Sequence, residues 1–174
     1  MFDGIDLFEM CLESLNEEQR RAKNAAKTED DVEEIVRSLS KKERKLMGFE
    51  KDDQKYKEPE EYKLLVKRFI EKVDGKAVAF FDINEYENGY NVVVATRRGE
   101  QYRGKGYALK AIRAGIKWYD RNKRKLHKPL VWWAESDNIG SQKLAERAGF
   151  KRDHSIEKEE DESIKGKWFR YIYK

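Results

Sequence analysis

Three consecutive β-rich segments, separated by short turn signals, constrain the fold of this chain more than any other feature. The segments cover residues 62–73, 76–83 and 90–96, and the last two contain the apolar runs AVAFFDI and NVVVAT. The dipeptides Asp74-Gly75 and Asn88-Gly89 lie between them, and both favour type I′ hairpin turns because each central residue accepts a positive φ. The pattern predicts a three-stranded antiparallel meander.

Two helices are predicted ahead of the meander. Apolar residues within 2–27 recur three and four positions apart, which is the spacing of an amphipathic helix. The same spacing predicts a second helix that runs from a cap at Thr28 towards Leu46. Residues 51–61 are charged and aperiodic, as expected for a linker. The predicted organisation is a helical segment over 1–50 that packs on the core, this linker, and a core domain over 62–174.

The residues after the meander predict a helix, a strand, a helix and a terminal pair of strands. A glycine-rich turn at 103–106 precedes a helix with one apolar face, and the run LVWWA at 130–134 predicts a short buried strand. Asn138 is suited to cap the next helix, and Gly149 is suited to end it in the left-handed conformation. Two strands within 150–173 follow, joined by an acidic loop. This order predicts an α/β fold, of the α+β kind, with a mixed sheet.

Length and composition indicate one domain of ordinary size. The chain has 174 residues, and a hydrophobic share of 39% can fill a single core. The single cysteine, Cys11, excludes an intramolecular disulfide, and with two histidines there are too few soft ligands for a structural zinc site. No apolar run approaches the roughly 18 residues that a membrane span requires. We therefore expect a cytoplasmic protein without a metal or a membrane partner.

Positive charge is concentrated in one segment. Residues 97–128 contain twelve Lys and Arg against two acidic residues, a balance of +10, whereas residues 1–50 contain nine against thirteen, a balance of −4. A cationic segment favours an anionic partner, either a phosphate-bearing cofactor or a nucleic acid. The alternative is a solvated helix face, formed by Lys110, Arg113, Lys117 and Arg121.

Three phosphate-binding motifs can be compared with the glycine-rich turn. The dinucleotide motif GxGxxG fails because Leu109 stands where the third glycine is needed. The P-loop motif GxxxxGK matches from Gly99 to Lys105, but Gly106 replaces the Ser or Thr that ligates magnesium. The pattern R/Q-x-x-G-x-G/A fits residues 103–108, where successive backbone N–H groups at a helix N-terminus would face a pyrophosphate.

Two motifs together resemble those of the GNAT superfamily of acyl-CoA-dependent N-acetyltransferases. The first is RGKGYA at 103–108, between a strand and a helix, and the second is NIGSQKLAERAGF at 138–150, after the next strand. The resemblance covers about residues 62–174 and implies acetyl-CoA as acyl donor, with its pantetheine arm between the two strands. The binding residues that it implies are Thr96, Arg97 and Arg98 for pantetheine, Arg103, Gly104, Lys105, Gly106, Tyr107 and Ala108 for pyrophosphate, and Asn138 and Ser141 for the pantetheine and its thiol end.

One departure from the family concerns the acid that protonates the leaving thiolate. Many members carry a tyrosine in an LYEK-like run, and Ala145 occupies that position here, in the run LAER. The best candidate for a catalytic base is Glu135, which ends the strand beside the implied pantetheine site, and a solvated strand-end carboxylate is the alternative. Tyr171 and Tyr173 on the last strand are either within reach of the thiol or part of the core.

The favoured function is an N-acetyltransferase that moves an acetyl group from acetyl-CoA to a primary amine by direct attack. The acceptor is a protein N-terminus, a lysine or a small-molecule amine. Three alternatives stay open: acetylation of aminoacyl-tRNA, which the cationic segment allows, a catalytically silent acyl-CoA-binding fold, and a basic nucleic-acid-binding module. A homodimer also stays open.

Overall fold

A computed structural model describes residues 28–47, 65–86, 89–158 and 167–174 of the chain. The predicted first helix over 2–27 and the predicted linker over 51–61 lie outside the described residues. The strands are β1 (Leu65–Val73), β2 (Lys76–Tyr86), β3 (Gly89–Thr96), β4 (Leu130–Glu135), β5 (Lys151–Lys158) and β6 (Trp168–Tyr173). The helices are α1 (28–38 in its described part), α2 (Lys41–Leu46), α3 (Tyr107–Leu126) and α4 (Ile139–Arg147).

The strands form one mixed sheet in the order β1-β2-β3-β4-β6-β5. Neighbouring strands are antiparallel except β3 and β4, which run parallel. A parallel pair needs a long crossover connection, and α3 supplies it. The expected α/β class with a mixed sheet is confirmed, and β5 and β6 form the terminal pair that the sequence predicts.

Strands β1, β2 and β3 form the predicted antiparallel meander. Asp74 and Gly75 connect β1 to β2 with φ values of 49° and 77°, as a type I′ turn requires. The turn predicted at Asn88-Gly89 is wrong in position, because Tyr86 pairs with Gly89, which is itself a strand residue. The two residues between them lie outside the described part of the chain.

Gly89 is needed for strand packing rather than for a turn. A Cβ at this position would lie 2.7 Å from Cγ2 of Val131 and 3.1 Å from the carbonyl oxygen of Pro129. The N–H of Tyr90 donates a hydrogen bond to that same carbonyl at 2.9 Å. Because Gly89 has no side chain, the start of β4 can approach β3 closely enough to pair with it.

The predicted second helix is divided into α1 and α2 by a break at Leu39 and Ser40. The N–H of Ser40 donates to Oε2 of Glu43 at 2.7 Å, and the N–H of Glu43 donates to Oγ of Ser40 at 3.2 Å. This reciprocal pair is a capping box, which starts a new helix. Thr28 already lies inside α1, so the cap predicted there is wrong. The S-x-x-E signal that marks the true start of α2 is present in the sequence.

The sheet carries a helix layer on each face. On one face α3 packs against β1, β2 and β3, and Gly115 allows this approach because a Cβ there would lie 2.4 Å from the ring of Phe81. On the other face α1 covers Phe80, the neighbour of Phe81 on β2. The strand period of two explains why adjacent phenylalanines belong to different cores. The residues of α1 that pack in the second core are Val32, Ile35 and Val36, and Leu39 in the break after α1 packs with them.

Both ends of α4 agree with the sequence prediction. Oδ1 of Asn138 accepts a hydrogen bond from the N–H of Ser141 at 3.0 Å, which caps the helix. At the other end Gly149 has a φ of 96°. The N–H of Phe150 then donates to the carbonyl of Ala145 at 3.0 Å, as in a Schellman motif.

Candidate active site

Strands β3 and β4 pair where they begin and then diverge. Tyr90 pairs with Leu130 and Asn91 with Val131, and no later pair joins the two strands within the described residues. Residues 92–96 of β3 and 132–135 of β4 therefore border an opening, which we call the strand gap. It widens towards the carboxyl ends of both strands, where the β3–α3 and β4–α4 connections begin.

The backbone of β3 presents alternate residues to the strand gap. The N–H of Arg97 donates to the carbonyl of Val78 on β2 at 2.7 Å, so the backbone of Arg97 is directed towards β2. Polar groups alternate along a strand, so those of Val94 and Thr96 face the strand gap. Thr96 is among the residues that the sequence singles out for pantetheine, whereas Val94 is not.

The backbone of β4 follows the same alternation. The N–H of Ser136 donates to the carbonyl of Lys167 at 2.7 Å, which directs the backbone of Ser136 towards β6. The backbone polar groups of Trp133 and the N–H of Glu135 are then directed towards β3 and the strand gap. Sequence reasoning missed Trp133, because its position follows only from the register of β4 on β6.

The glycine-rich turn opens α3 in a left-handed conformation. Gly104 and Gly106 have φ values of 72° and 80°, and a Cβ on either would meet no described atom within 4 Å. Gly106 is the N-cap of α3 and supplies no side-chain hydrogen bond. No N-cap side chain bonds the first N–H groups of this 20-residue helix, which lie at the positive end of its dipole. Such an end suits a phosphate group.

The α1–α2 segment contacts the first residue of this turn and two residues that precede the turn. Nη1 of Arg97 pairs with Oε2 of Glu34 at 2.9 Å, and the N–H of Arg98 donates to Oγ of Ser38 at 2.9 Å. Further along, the guanidinium of Arg103 forms an ion pair with Glu43. These contacts join the N-terminal helices to the implied cofactor site.

A cleft of about 350 Å³ lies at the open end of the strand gap. Its walls come from three parts of the chain that are distant in sequence, namely α2, the connection after β3 and the connection after β4. We call it the Glu135 cleft. Its lining residues are Ser40, Lys42, Glu43, Arg98, Arg103, Glu135, Asp137 and Asn138.

Glu135 is the buried carboxylate of this cleft, with 8% of its surface exposed. Trp132 and Ala134 point into the core beneath α3, so Glu135 points to the opposite face of β4, where α2 lies. Burial raises the pKa of Glu135, the charge of Asp137 raises it further, and the charge of Lys42 lowers it. A carboxylate with a raised pKa is a stronger base, which suits proton acceptance from an amine.

The pKa of Glu43 is shifted in the opposite direction from that of Glu135. Burial alone would raise its pKa, but hydrogen bonds from Ser40 and the ion pair with Arg103 lower it to about 2. Glu43 is therefore an anion at neutral pH and holds Arg103 at the edge of the cleft. Two carboxylates in one cleft thus differ in their chemistry, because one is stabilised by donors and the other is desolvated beside a like charge.

Asn138 and Ser141 both have structural roles in addition to any contact with a cofactor. Asn138 caps α4, and Oγ of Ser141 accepts a hydrogen bond from Nε1 of Trp132 at 2.9 Å. Asn138 also lines the Glu135 cleft, whereas Ser141 lies on the core side of β4. Their contact with pantetheine stays a prediction.

Ala145, at the position where the resemblance implies a catalytic tyrosine in many members, is packed in the core. Ala145 is fully buried, in the same cluster as Trp132 and Tyr171. The hydroxyl of Tyr173 donates to Oδ2 of Asp120 on α3 at 3.0 Å. Tyr171 is 1% exposed and its pKa is raised by burial, so it is a protonated core side chain at neutral pH.

The cationic segment consists largely of the outer face of α3. Lys110 pairs with Glu71 at 3.3 Å and Lys123 with Asp120 at 4.0 Å. Arg113, Lys117 and Arg121 are exposed on this face. Their exposure fits both a solvated helix surface and a surface for an anionic partner, so the choice between the two stays a prediction. Arg98 and Arg103 are the members of the segment that line the Glu135 cleft.

Comparison with known families identifies the class of protein. The sequence matches the acetyltransferase (GNAT) domain over residues 6–151. This chain therefore belongs to the GNAT acetyltransferase family. Among the described residues, no helix is long and apolar enough to cross a membrane, and no group of His, Cys, Asp and Glu could hold a metal.

Solved structures of acetyltransferases are similar to this chain at low sequence identity. An acetyltransferase from Salmonella typhimurium that modifies the N-terminal serine of 50S ribosomal subunit protein L7/L12 matches with a TM-score of 0.51 and 16% identity, over 61% of this chain and 62% of that chain. A ribosomal-protein-alanine N-acetyltransferase from Brucella melitensis matches with a TM-score of 0.48 and 15% identity, over 60% and 65%. Both matches span less than two thirds of the solved chain. Comparison with curated proteins gives no match.

Proposed function

We propose that this chain transfers an acetyl group from acetyl-CoA to a primary amine by direct attack, with Glu135 as the general base. The observation that supports this most is the conjunction of the strand gap, the glycine-rich start of α3 and a buried carboxylate at one open end of the sheet. No one of these features would define an acetyltransferase, but they occur together in a chain that belongs to the GNAT family.

The described residues fit acetyl-CoA in two places. Gly104 and Gly106 leave open space beside the N–H groups at the start of α3, where a pyrophosphate would be held. Thr96 and Val94 on β3 and Trp133 on β4 direct backbone groups into the strand gap, where an extended pantetheine would lie like an additional strand. Arg98 and Arg103 add positive charge at the open end of the gap.

The reaction requires a neutral amine and a path for its proton. The amine nitrogen attacks the acetyl carbonyl carbon, so that a C–N bond forms and the C–S bond to CoA breaks. Glu135 accepts a proton from the amine, directly or through water, and the CoA thiolate takes a proton from solvent. The raised pKa of Glu135, caused by burial and by Asp137, favours this role.

In the proposed reaction, no tyrosine on α4 protonates the CoA thiolate. Ala145 has no proton to give, and the hydroxyl of Tyr173 is directed at Asp120. Tyr171 lies in the core with Ala145, on the face of β4 opposite to Glu135. Protonation of the thiolate by water is therefore the simplest route. It requires no general acid because a thiolate is a good leaving group.

The experiment is a titration with acetyl-CoA followed by an amine panel. Acetyl-CoA at about 100 times its dissociation constant should stabilise the fold by roughly 2.7 kcal/mol, and inorganic pyrophosphate should stabilise it much less. Release of free CoA thiol is then measured with lysine, a polyamine and an N-terminal peptide. Absence of any thermal shift at millimolar acetyl-CoA would contradict the proposal, as would a shift without thiol release for every amine.

A further inference from the structure

The fold itself places a primary amine in the Glu135 cleft. Lys42, the second residue of α2, lines this cleft together with Glu135. Its Nζ lies 3.5 Å from Oδ2 of Asp137, on the connection that follows Glu135. The charge of Lys42 lowers the pKa of Glu135, against burial and the charge of Asp137, which raise it.

The backbone of Lys42 is fixed although its side chain is not. The capping box of Ser40 and Glu43 brackets Lys42 in the first turn of α2. The ion pair between Glu43 and Arg103 ties the same turn to the start of α3. The Lys42 side chain is 70% exposed, so its flexible stem can carry Nζ from Asp137 to other positions in the cleft.

We propose that Lys42 is acetylated by the chain's own transferase activity. This inference rests on the proposed function and names an acceptor at the same site. The lysine ammonium first loses one proton, with Glu135 as acceptor. The neutral Nζ then attacks the acetyl carbonyl of acetyl-CoA, a C–N bond forms and the C–S bond breaks. The second proton of the nitrogen passes through water to the CoA thiolate. The products are Nε-acetyl-lysine at position 42 and free CoA.

The other cations of the cleft do not compete for this role. Arg98 and Arg103 carry guanidinium groups, which stay charged and are not nucleophiles at neutral pH. Lys41 is the immediate neighbour of Lys42 on α2 and is also exposed, but it is not among the residues that line the cleft. Lys41 is therefore a matched internal control, because it shares the solvent exposure of Lys42 and differs in position.

The test is peptide mapping of the full chain after incubation with acetyl-CoA. We expect acetyl-lysine at position 42 to form several-fold faster than at position 41, and Glu135→Gln to slow it by about 10²- to 10⁴-fold. Lys42→Arg should remove one acetyl group from the intact mass, whereas Lys41→Arg should not. A sample unfolded in urea measures purely chemical acetylation of the two lysines.

Two results would overturn the assignment of Lys42. One is equal acetylation of positions 41 and 42; the other is a rate at position 42 that unfolding or Glu135→Gln leaves unchanged. The amine panel separates this failure from failure of the proposed function. If acetyl-CoA binds and an added amine is acetylated while Lys42 stays unmodified, the self-acetylation proposal is wrong and the proposed function stands. If acetyl-CoA does not bind, both are wrong.

Discussion

Glu43 of α2 and Arg103 of the glycine-rich turn form an ion pair that joins the N-terminal helices to the start of α3. The two residues are 60 positions apart in the sequence. Glu43 also completes the capping box with Ser40, so one carboxylate stabilises a helix start and fixes an arginine at the implied cofactor site. Loss of this carboxylate should therefore affect both stability and cofactor binding.

The first prediction concerns the acid dependence of stability. The pKa of Glu43 falls from an ordinary 4.5 to about 2 on folding. Its contribution to the free energy of unfolding is therefore full above about pH 4.5 and is lost as the pH falls towards 2. Glu43→Gln should be less stable than the wild type by about 1 kcal/mol at neutral pH, and the difference should shrink over this pH window.

Urea unfolding at a series of pH values measures this effect. Glu33→Gln is the control, because Glu33 pairs with Arg37 on the surface of α1 and touches neither Arg103 nor the cap. That substitution should change stability by less than about 0.5 kcal/mol. A constant difference between wild type and Glu43→Gln from neutral pH down to pH 2 would show that the ion pair and cap do not depend on the charge of Glu43.

The second prediction uses two glycines with the same backbone conformation. Gly106 and Gly75 have φ values of 80° and 77°, and a Cβ at either would meet no described atom within 4 Å. Gly106→Ala and Gly75→Ala should therefore cost a similar amount, roughly 1–2 kcal/mol, through strain in the left-handed conformation. Only Gly106→Ala should weaken acetyl-CoA binding, because only Gly106 belongs to the turn at the start of α3.

Isothermal titration with acetyl-CoA tests this pair directly. Thermal unfolding first measures the folded fraction of each variant, so that acetyl-CoA affinities are compared between folded proteins. Equal loss of affinity in both variants would mean that the loss follows from general destabilisation. Unchanged affinity in Gly106→Ala would remove the glycine-rich turn from the binding site.

Sequence patterns predicted the local parts of this structure well. The meander, the cap at Asn138 and the left-handed Gly149 depend on neighbouring residues, so their signals lie within a few positions. The role of Gly89 was misread because it depends on Val131, which is distant in sequence. The capping box at Ser40 is a local signal that could have been found.

Only those parts of the candidate site that depend on neighbouring residues could be predicted from the sequence. The spacing of the two motifs predicted where α3 starts and where β4 ends, because each motif lies within a few consecutive residues. The third wall of the Glu135 cleft comes from α2, and no pattern in the sequence indicates where a short helix will dock. The roles of Lys42 and Glu43 therefore follow only from the structure. Lys42 contacts Asp137, and Glu43 contacts Arg103.

The third prediction concerns turnover. If Glu135 accepts the amine proton, Glu135→Gln should lower kcat by about 10²- to 10⁴-fold, with little change in the affinity for acetyl-CoA. Glu146→Gln is the control, because Glu146 is an exposed carboxylate of α4 outside the cleft. Steady-state thiol release across a pH series measures both variants. A Glu135→Gln enzyme within threefold of wild type and with an unchanged pH profile would exclude Glu135 as the base.

The fourth prediction concerns the stability cost of the same carboxylate. Burial, followed by the charge of Asp137, raises the pKa of Glu135 on folding. A group with a raised folded-state pKa stabilises the fold most below its unfolded pKa, and this contribution is lost as the pH rises through the folded-state pKa. Glu135→Gln should therefore be at least as stable as wild type at neutral pH, and its advantage should disappear in acid. A less stable variant at neutral pH would contradict this account.

The last prediction concerns Ala145, at the position where the family resemblance implies a tyrosine in many members. Restoration of the tyrosine would be expected to supply an acid only if the position faced the reacting atoms. Here Ala145 is fully buried in the core with Trp132 and Tyr171, so Ala145→Tyr should overpack it and cost roughly 1–3 kcal/mol without raising kcat. Ala114→Tyr, on the exposed face of α3, should leave both quantities nearly unchanged. Thermal unfolding and thiol release on the two variants measure the outcome, and a faster Ala145→Tyr enzyme of normal stability would show that the donor position is still open to the thiolate.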